Sequence, residues 1–246
     1  MSEQLTILGI SIDRVDQAQA LRVIQDFIDS GQPHYIVTAN AEIIYQASHD
    51  ETMRQLVNGA DLVTADGSGV VWASKYIGQP LTQRVTGIDL VYAICQKAQI
   101  TGWRIYIIGA APGIAQQAAD KLQEQYPGCQ IVGLQHGYFT AEEEPQIVEQ
   151  IRQAQPDILL VAMGAPRQEM WITQYKDALQ VPVAMGIGGS LDVISGNLKR
   201  APKWMQKLSL EWLYRLLIQP SRFKRVLALP KFVLAVRRET HQARKQ

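Results

Sequence analysis

Asp66 ends a short β-rich run at 61–65 and is followed by Gly67, Ser68 and Gly69. A carboxylate lifted into a glycine-rich turn at a strand end can reach a substrate hydroxyl and take its proton, the task of a general base. The same context suits an Asx turn or a helix N-cap. Thr38 and Asn40 close a second apolar run, and Gln168 follows a third. Each alone is an ordinary cap; gathered at one sheet edge they would line a polar crevice. Three glycine loops sit in comparable places, at 109–113, at 164–166 and at 186–190. Free backbone N–H groups at such strand-to-helix turns can hold a phosphate, so Gly109, Gly164 and Gly189 are candidate substrate-binding positions. The first loop is not G-x-G-x-x-G, no acidic residue ends the following strand at 130–133, and no G-x-x-x-x-G-K-[ST] occurs. Hydride transfer and ATP hydrolysis are therefore disfavoured.

Metal chemistry has little support in the residue types. The four histidines (His34, His49, His136, His241) are scattered, and there is no H-x-x-x-H, C-x-x-C or Asp-x-Asp. The expectation is no metal site and no cofactor. A diphosphate leaving group would then need cationic side chains. Arg215, Arg222 and Arg225 supply them, at spacings that suit one helical face, although Pro220 divides the segment into two short helices.

Three segments share one grammar: an apolar β-rich run, a glycine loop, then a helical pattern. They begin at 104–109, 157–164 and 181–186. Continuous apolar runs mark strands buried on both faces, and their alternation with helices implies a parallel sheet. Residues 16–30 have amphipathic-helix spacing, 35–38 and 61–65 read as further strands, and 41–48 as a helix. The fold expected is α/β and Rossmann-like, a mostly parallel sheet with helices on both faces and a basic helical C-terminal appendage. Ligands of such sheets gather at the carboxyl ends of the strands.

The chain has 246 residues and a formal net charge of +1, which hides an asymmetry. Residues 1–196 carry 11 Lys/Arg against 21 Asp/Glu, whereas residues 197–246 carry 13 against two. A basic tail on an acidic body points to an anionic partner. The composition shift near 195–201 divides the chain into an α/β core, 1–195, and an appendage, 196–246, that is not an independent fold. Residues 222–238 mix Arg222, Lys224, Arg225, Lys231, Arg237 and Arg238 with Phe223, Val226, Leu227, Leu229, Phe232, Val233, Leu234 and Val236. That pattern is expected to lie in a membrane interface. No apolar run reaches the ~18 residues of a spanning helix, and the N-terminus lacks the basic region of a signal peptide. Cys95 and Cys129 are far apart in sequence without metal-type spacing and read as plain thiols of a reducing compartment. The expected location is cytoplasmic, peripheral on the inner face of the cell membrane.

Several motifs agree in order over essentially the whole chain. They are Thr38-Ala39-Asn40-Ala41-Glu42, Ala65-Asp66-Gly67 with Arg84-Val85-Thr86-Gly87, and Gly164-Ala165-Pro166-Arg167-Gln168-Glu169. Gly186 to Asp192 and Lys199 to Trp204, continuing through Glu211 to Arg215, complete the set. Together they resemble the WecG/TagA/CpsF glycosyltransferases. The resemblance implies an inverting, metal-independent transfer of an N-acetylmannosamine-type sugar. The donor implied is a UDP-sugar, and the acceptor a polyprenyl-diphosphate-linked N-acetylglucosamine in cell-surface polysaccharide synthesis.

On this resemblance Asp66 matches the general base, and Thr38, Asn40, Arg84 and Gln168 match polar residues of the pocket. Asp192 matches a nucleotide-side residue, and Arg215, Arg222 and Arg225 match the basic appendage. Ala39 departs from the pattern, since many relatives have proline there. The competing reading is a non-catalytic, membrane-associated protein that binds nucleotide-sugars or anions. Nucleic acid is not expected as a partner, because the body is acidic and no helix-turn-helix or RNA-sheet signature is present. A homo-oligomer is left open.

Overall fold

The computed structural model describes residues 3–220 and 223–243. The chain opens with a hairpin, β1 (Gln4–Ile7) and β2 (Ile10–Asp13), then runs through α1 (Gln17–Ser30), β3 (His34–Ala39), α2 (Ala41–Ala47) and α3 (Glu51–Asn58). Next come β4 (Leu62–Ala65), α4 (Ser68–Tyr76), α5 (Gly87–Thr101), β5 (Arg104–Gly109), α6 (Ile114–Gln125), β6 (Gln130–Gln135) and α7 (Glu144–Ala154). The last elements are β7 (Ile158–Ala162), α8 (Arg167–Leu179), β8 (Val183–Gly186), α9 (Ser190–Ile194), α10 (Lys203–Lys207), α11 (Glu211–Ile218), α12 (Phe223–Val226) and α13 (Ala228–Ala243).

Six strands form one parallel sheet in the order β4-β3-β8-β7-β5-β6. Alternate side chains of its strands feed two separate cores. Tyr35, Val37, Tyr106, Ile108, Leu159 and Val161 face one side; Ile36, Ile105, Ile107, Leu160, Val183 and Met185 face the other. Helices α2, α3, α4, α7, α8 and α13 cover the first side, and α1, α5, α6 and α9 the second. Covering both faces is what the continuous apolar runs demanded: a strand with no polar face cannot be left half wet. The β1–β2 hairpin, read only as a short apolar stretch in the sequence, guards the outer edge. Asp13 accepts the Val63 amide of edge strand β4 at 2.8 Å, so an otherwise open strand edge is met by a side chain. Cys95 and Cys129, distant in sequence, are both buried and free of a disulfide.

The C-terminal segment departs from expectation. Phe232 is 1% and Val236 0% exposed, and both belong to the first core. Through them α13 packs against α2 and α4, and Glu239 accepts the Leu8 amide of the β1–β2 turn at 3.2 Å. With Leu229 and Val233 packed against the same core, half of the eight apolar residues expected at an interface face the protein instead. Mixed basic and apolar composition suits a membrane helix and a helix lying on its own domain equally well, and only tertiary contact separates them. Arg222 and the side chain of Lys224 lie outside the described residues.

Phe232→Ala should cost about 3–5 kcal/mol of folding stability, read as a lower urea midpoint in far-UV CD. An α13 that merely floated at an interface would leave the midpoint unchanged.

Candidate active site

At the carboxyl edge of the sheet, adjacent strands β3 and β8 send their following helices to opposite sides. Helix α2 joins the first core and α9 the second. The two loops diverge, the arrangement at which parallel sheets collect ligands. Thr38 ties the two strands together just below them: its hydroxyl, on β3, donates to the Gly186 carbonyl of β8 at 3.1 Å.

Asp66 follows β4, one strand outward. Its amide continues the sheet ladder by donating to Ala39 O at 2.8 Å. The carboxylate does not cap α4, whose N-cap is Gly67 without a side-chain bond. It turns instead toward α5 and accepts the Gly87 amide, the first of that helix, at 3.4 Å. The cap reading of this aspartate therefore does not hold for its own helix. The Arg84–Gly87 stretch is pinned alongside: Val85 N donates to Ala65 O at 2.9 Å, and Thr64 Oγ1 donates to Val85 O at 3.1 Å. Withdrawal from water pushes the Asp66 carboxyl up to about 6. The Gly87 amide, Arg215 and Arg84 pull it down, while Glu211 adds to the rise. From sequence, Asp66 is an ordinary ionised carboxylate; burial makes it a stronger base that is still about nine-tenths ionised at pH 7.

Two arginines act on this carboxylate, Arg84 and Arg215, and the first is already paired. Arg84 Nη1 donates to Glu211 Oε2 at 3.2 Å. Arg225 Nε lies 3.6 Å from Glu42 Oε1 in the first turn of α2. Among the described residues Arg215 is in no ion pair. It acts on Asp66 through space and lines a small crevice with Gly189, Val193, Leu198, Lys199 and Ile218. Asp192 stands in the first turn of α9, beside Gly189. Arg222 falls outside the described residues.

The remaining sequence candidates build the site's frame. Asn40 caps α2, its Oδ1 accepting Ile43 N at 3.0 Å, so only its amide nitrogen is left to face a ligand. Gln168 is 3% exposed, and both ends of its amide are occupied. Its Oε1 accepts Gly164 N at 3.2 Å and Gly188 N at 3.0 Å, and its Nε2 donates to Glu169 Oε1 at 2.8 Å. One side chain thus ties the loop after β7 to the loop after β8. Gly186 makes room for it, since a Cβ there would stand 2.5 Å from Gln168 Nε2. Gly109 has a steric reason as well: its φ is +131°, and a Cβ would meet the Ala162 backbone at 2.4 Å. It lies on β5, beyond β8 and β7 from Asp66.

Sequence reasoning missed Asp89 as a site neighbour, and it treated Thr86, Lys199, Arg200 and Glu211 only as parts of motifs. Arg200 grips Asp89 through Nη1–Oδ1 at 2.6 Å and Nη2–Oδ2 at 3.0 Å, and its Nε reaches Glu211 Oε1 at 3.4 Å. The motif at 199–204 was the one available signal, but no spacing rule links residue 200 to residue 89. No three His, Cys, Asp or Glu side chains gather as a metal site among the described residues.

A family model described as "Glycosyl transferase WecG/TagA/CpsF family" matches residues 5–246. A protein of Bacillus spizizenii (strain ATCC 23059 / NRRL B-14472 / W23) is 38% identical over 210 residues, covering 85% of this chain and 81% of the relative. One of Staphylococcus aureus (strain NCTC 8325 / PS 47) is 34% identical over 244 residues, covering 98% and 95%. Both relatives are named N-acetylglucosaminyldiphosphoundecaprenol N-acetyl-beta-D-mannosaminyltransferase.

A carboxyl whose folded value is raised favours the folded state while protonated, and that contribution is lost as pH rises through about 6. Asp66→Asn should therefore raise the melting temperature at pH 7–8, with the gain shrinking toward pH 4. Thermal scans across that range check the sign; a destabilised variant at pH 8 would mean the carboxylate is structural.

Proposed function

Since the chain belongs to the WecG/TagA/CpsF glycosyltransferase family, we propose that it moves an N-acetylmannosamine-type sugar from a UDP donor to a polyprenyl-diphosphate-linked N-acetylglucosamine. Family membership makes it an enzyme, which displaces the binding-protein alternative. The observation that carries the reaction is a partly buried Asp66 with a raised proton affinity, flanked by arginines at the carboxyl edge of the sheet.

In this reading the acceptor hydroxyl sits against Asp66. Its oxygen bonds to the anomeric carbon as its proton passes to the carboxylate, and the sugar–phosphate bond breaks on the opposite face. One displacement inverts the configuration and releases UDP. A value near 6 suits the base, because it is ionised at neutral pH yet holds a proton more firmly than an exposed aspartate. Arg215 is the cation best placed for the departing diphosphate, since it has no internal ion-pair partner among the described residues. Arg84 and Arg225 would join it by exchanging Glu211 and Glu42 for phosphate oxygens, and Arg222 is assigned to the same group from sequence. Side-chain cations then supply the charge stabilisation that a metal ion supplies in other transferases. Thr38 and Gln168 act by holding the crevice's shape, Asn40 by its free amide nitrogen, and Gly164, Gly189 and Asp192 by lining the loops that would meet the nucleotide. Gly109, with a steric reason of its own, is the weakest of the proposed substrate positions.

The acceptor is a lipid, so the enzyme has to work at a bilayer. No helix of the described residues is long and apolar enough to cross one. Trp204, Leu208, Trp212, Leu217, Ile218, Phe223 and Leu227, all on or next to α10–α12, are exposed instead. Lysines and arginines punctuate the same stretch. That is the pattern of a surface that sinks aromatic and aliphatic groups into the headgroup layer and holds anionic lipids electrostatically. We place it on the inner face of the cell membrane, with α10–α12 rather than α13 as the inserted face.

Purified protein should transfer N-acetylmannosamine from its UDP conjugate to a short-chain polyprenyl-diphosphate N-acetylglucosamine, with an inverted linkage by NMR and full turnover in EDTA. Asp66→Asn should lower kcat by about 10²-fold or more while UDP still binds. No transfer by the wild type, or rescue of a chelated enzyme by magnesium or manganese, would overturn the respective claims.

Trp204→Ser with Trp212→Ser should weaken binding to anionic vesicles in flotation assays yet spare transfer to the water-soluble acceptor. Undiminished flotation would move the membrane face elsewhere.

A further inference from the structure

Arg84 stands on the segment between α4 and α5, near enough to Asp66 to act on its carboxyl, with a long side chain that has no intrinsic reason to hold one direction. Among the described residues its one ion pair is with Glu211. The Glu211 side chain is itself 16% exposed and divides its two oxygens, one to Arg84 and one to Arg200. Arg200 is locked in turn by a two-pronged grip on Asp89. Thr86 Oγ1 donates to Asp89 Oδ2 at 2.7 Å and, as the N-cap of α5, also accepts the Asp89 amide. The next residue of that turn, Gly87, gives its amide to Asp66. The chain of contacts therefore runs from Asp66 through the first turn of α5, Asp89, Arg200 and Glu211 to Arg84, and so back to the wall around Asp66.

We propose that Glu211, held in place by Arg200, is a positioning residue for transfer: it aims the Arg84 guanidinium along the crevice wall beside Asp66. The inference rests on the catalytic reading of Asp66 and Arg84 above and adds to it. Docking of the C-terminal segment through Arg200 and Glu211 completes the site from a stretch of chain far from it in sequence. A segment merely resting on the core would need no such geometry. Planar two-pronged Arg–carboxylate pairing fixes orientation as well as proximity, and here one pair is used to orient the next.

The groups facing the Asp66 carboxylate are the Gly87 amide on α5, Arg84 on the preceding segment, and Arg215 and Glu211 on α11. Among the described residues Glu211 is the only negative one. Replacing it by glutamine keeps the shape and removes a charge that raises Asp66 more than Arg84 lowers it, so even with Arg84 released Asp66 should give up its proton at a lower pH.

The test uses Glu211→Gln, Arg84→Gln and the double variant in the full chain, with melting temperature as the folding control. Titration of the Asp66 side-chain carbon by NMR, assigned by its loss in Asp66→Asn, reads the midpoint with no substrate present. It should fall from near 6 in Glu211→Gln. In the transfer assay Glu211→Gln should lower kcat about tenfold and move the acid limb of the pH profile to lower pH. The double variant should be no slower than Arg84→Gln alone, because Glu211 acts through Arg84. An unmoved Asp66 midpoint, or losses that multiply in the double variant, would overturn the proposal. Absence of transfer by the wild type would count against the functional reading alone, since the NMR titration still decides whether Glu211 governs the site.

Discussion

The carboxyl edge of this protein is organised around a conflict at one side chain. In the proposed reaction Asp66 has to be ionised to take a proton, and it stands where water is largely withheld, which opposes ionisation. Neither demand wins outright. A helix amide and two arginines recover part of what burial removes, and the carboxyl settles near 6 rather than at the usual aspartate value or far above it. Those compensating groups come from α5, the segment before it, and α11. Three regions must therefore be registered against one another, and most of the site's polar contacts serve that registration.

This accounts for how the polar residues are divided. Thr38 is spent bridging β3 to β8, and Gln168 bridging the loops that follow β7 and β8. A buried amide with every end occupied has little left to offer a substrate, and a crevice whose walls moved would lose the alignment that rate depends on. Glu169, 0% exposed, stands behind Gln168, with burial raising its carboxyl and the Gln168 amide opposing that rise. Its second oxygen has no hydrogen-bond partner among the described atoms. The bond from Gln168 to its other oxygen still decides which way the Gln168 amide faces, because a carboxylate oxygen takes the nitrogen end and leaves the oxygen for the two glycine amides.

The C-terminal segment performs two physical jobs in succession. Arg200 and Glu211 fasten its beginning to α5 and Arg84, and Phe232 and Val236 fasten its end to α2 and α4. Between these anchors lie the exposed aromatic and aliphatic side chains. A short stretch tethered at both ends can present apolar groups outward because its folding does not depend on burying them. The same tethering puts the membrane face we propose next to the arginines around Asp66, where a lipid-linked acceptor would arrive.

The sequence alone determined the class of fold and which polar residues share one edge of the sheet. Unbroken apolar runs separated by glycine turns leave few architectures besides a doubly covered parallel sheet. In such a sheet, polar residues at strand ends such as Thr38, Asn40 and Asp66 must share one edge. These are local properties, carried by residues close together in the chain. The rest depended on separation in sequence. That β8 lies beside β3, and so places the crevice, is a matter of strand order, which local pattern does not encode. That Arg200 meets Asp89 across 111 residues, and that Asp66 is a stronger base than its type suggests, follows only once distant segments exclude water from the same place. The basic and apolar C-terminal pattern likewise fitted two destinations, membrane and core. Packing sent Phe232 and Val236 inward because α2 and α4 offered them an apolar surface that no reading of their own segment could reveal.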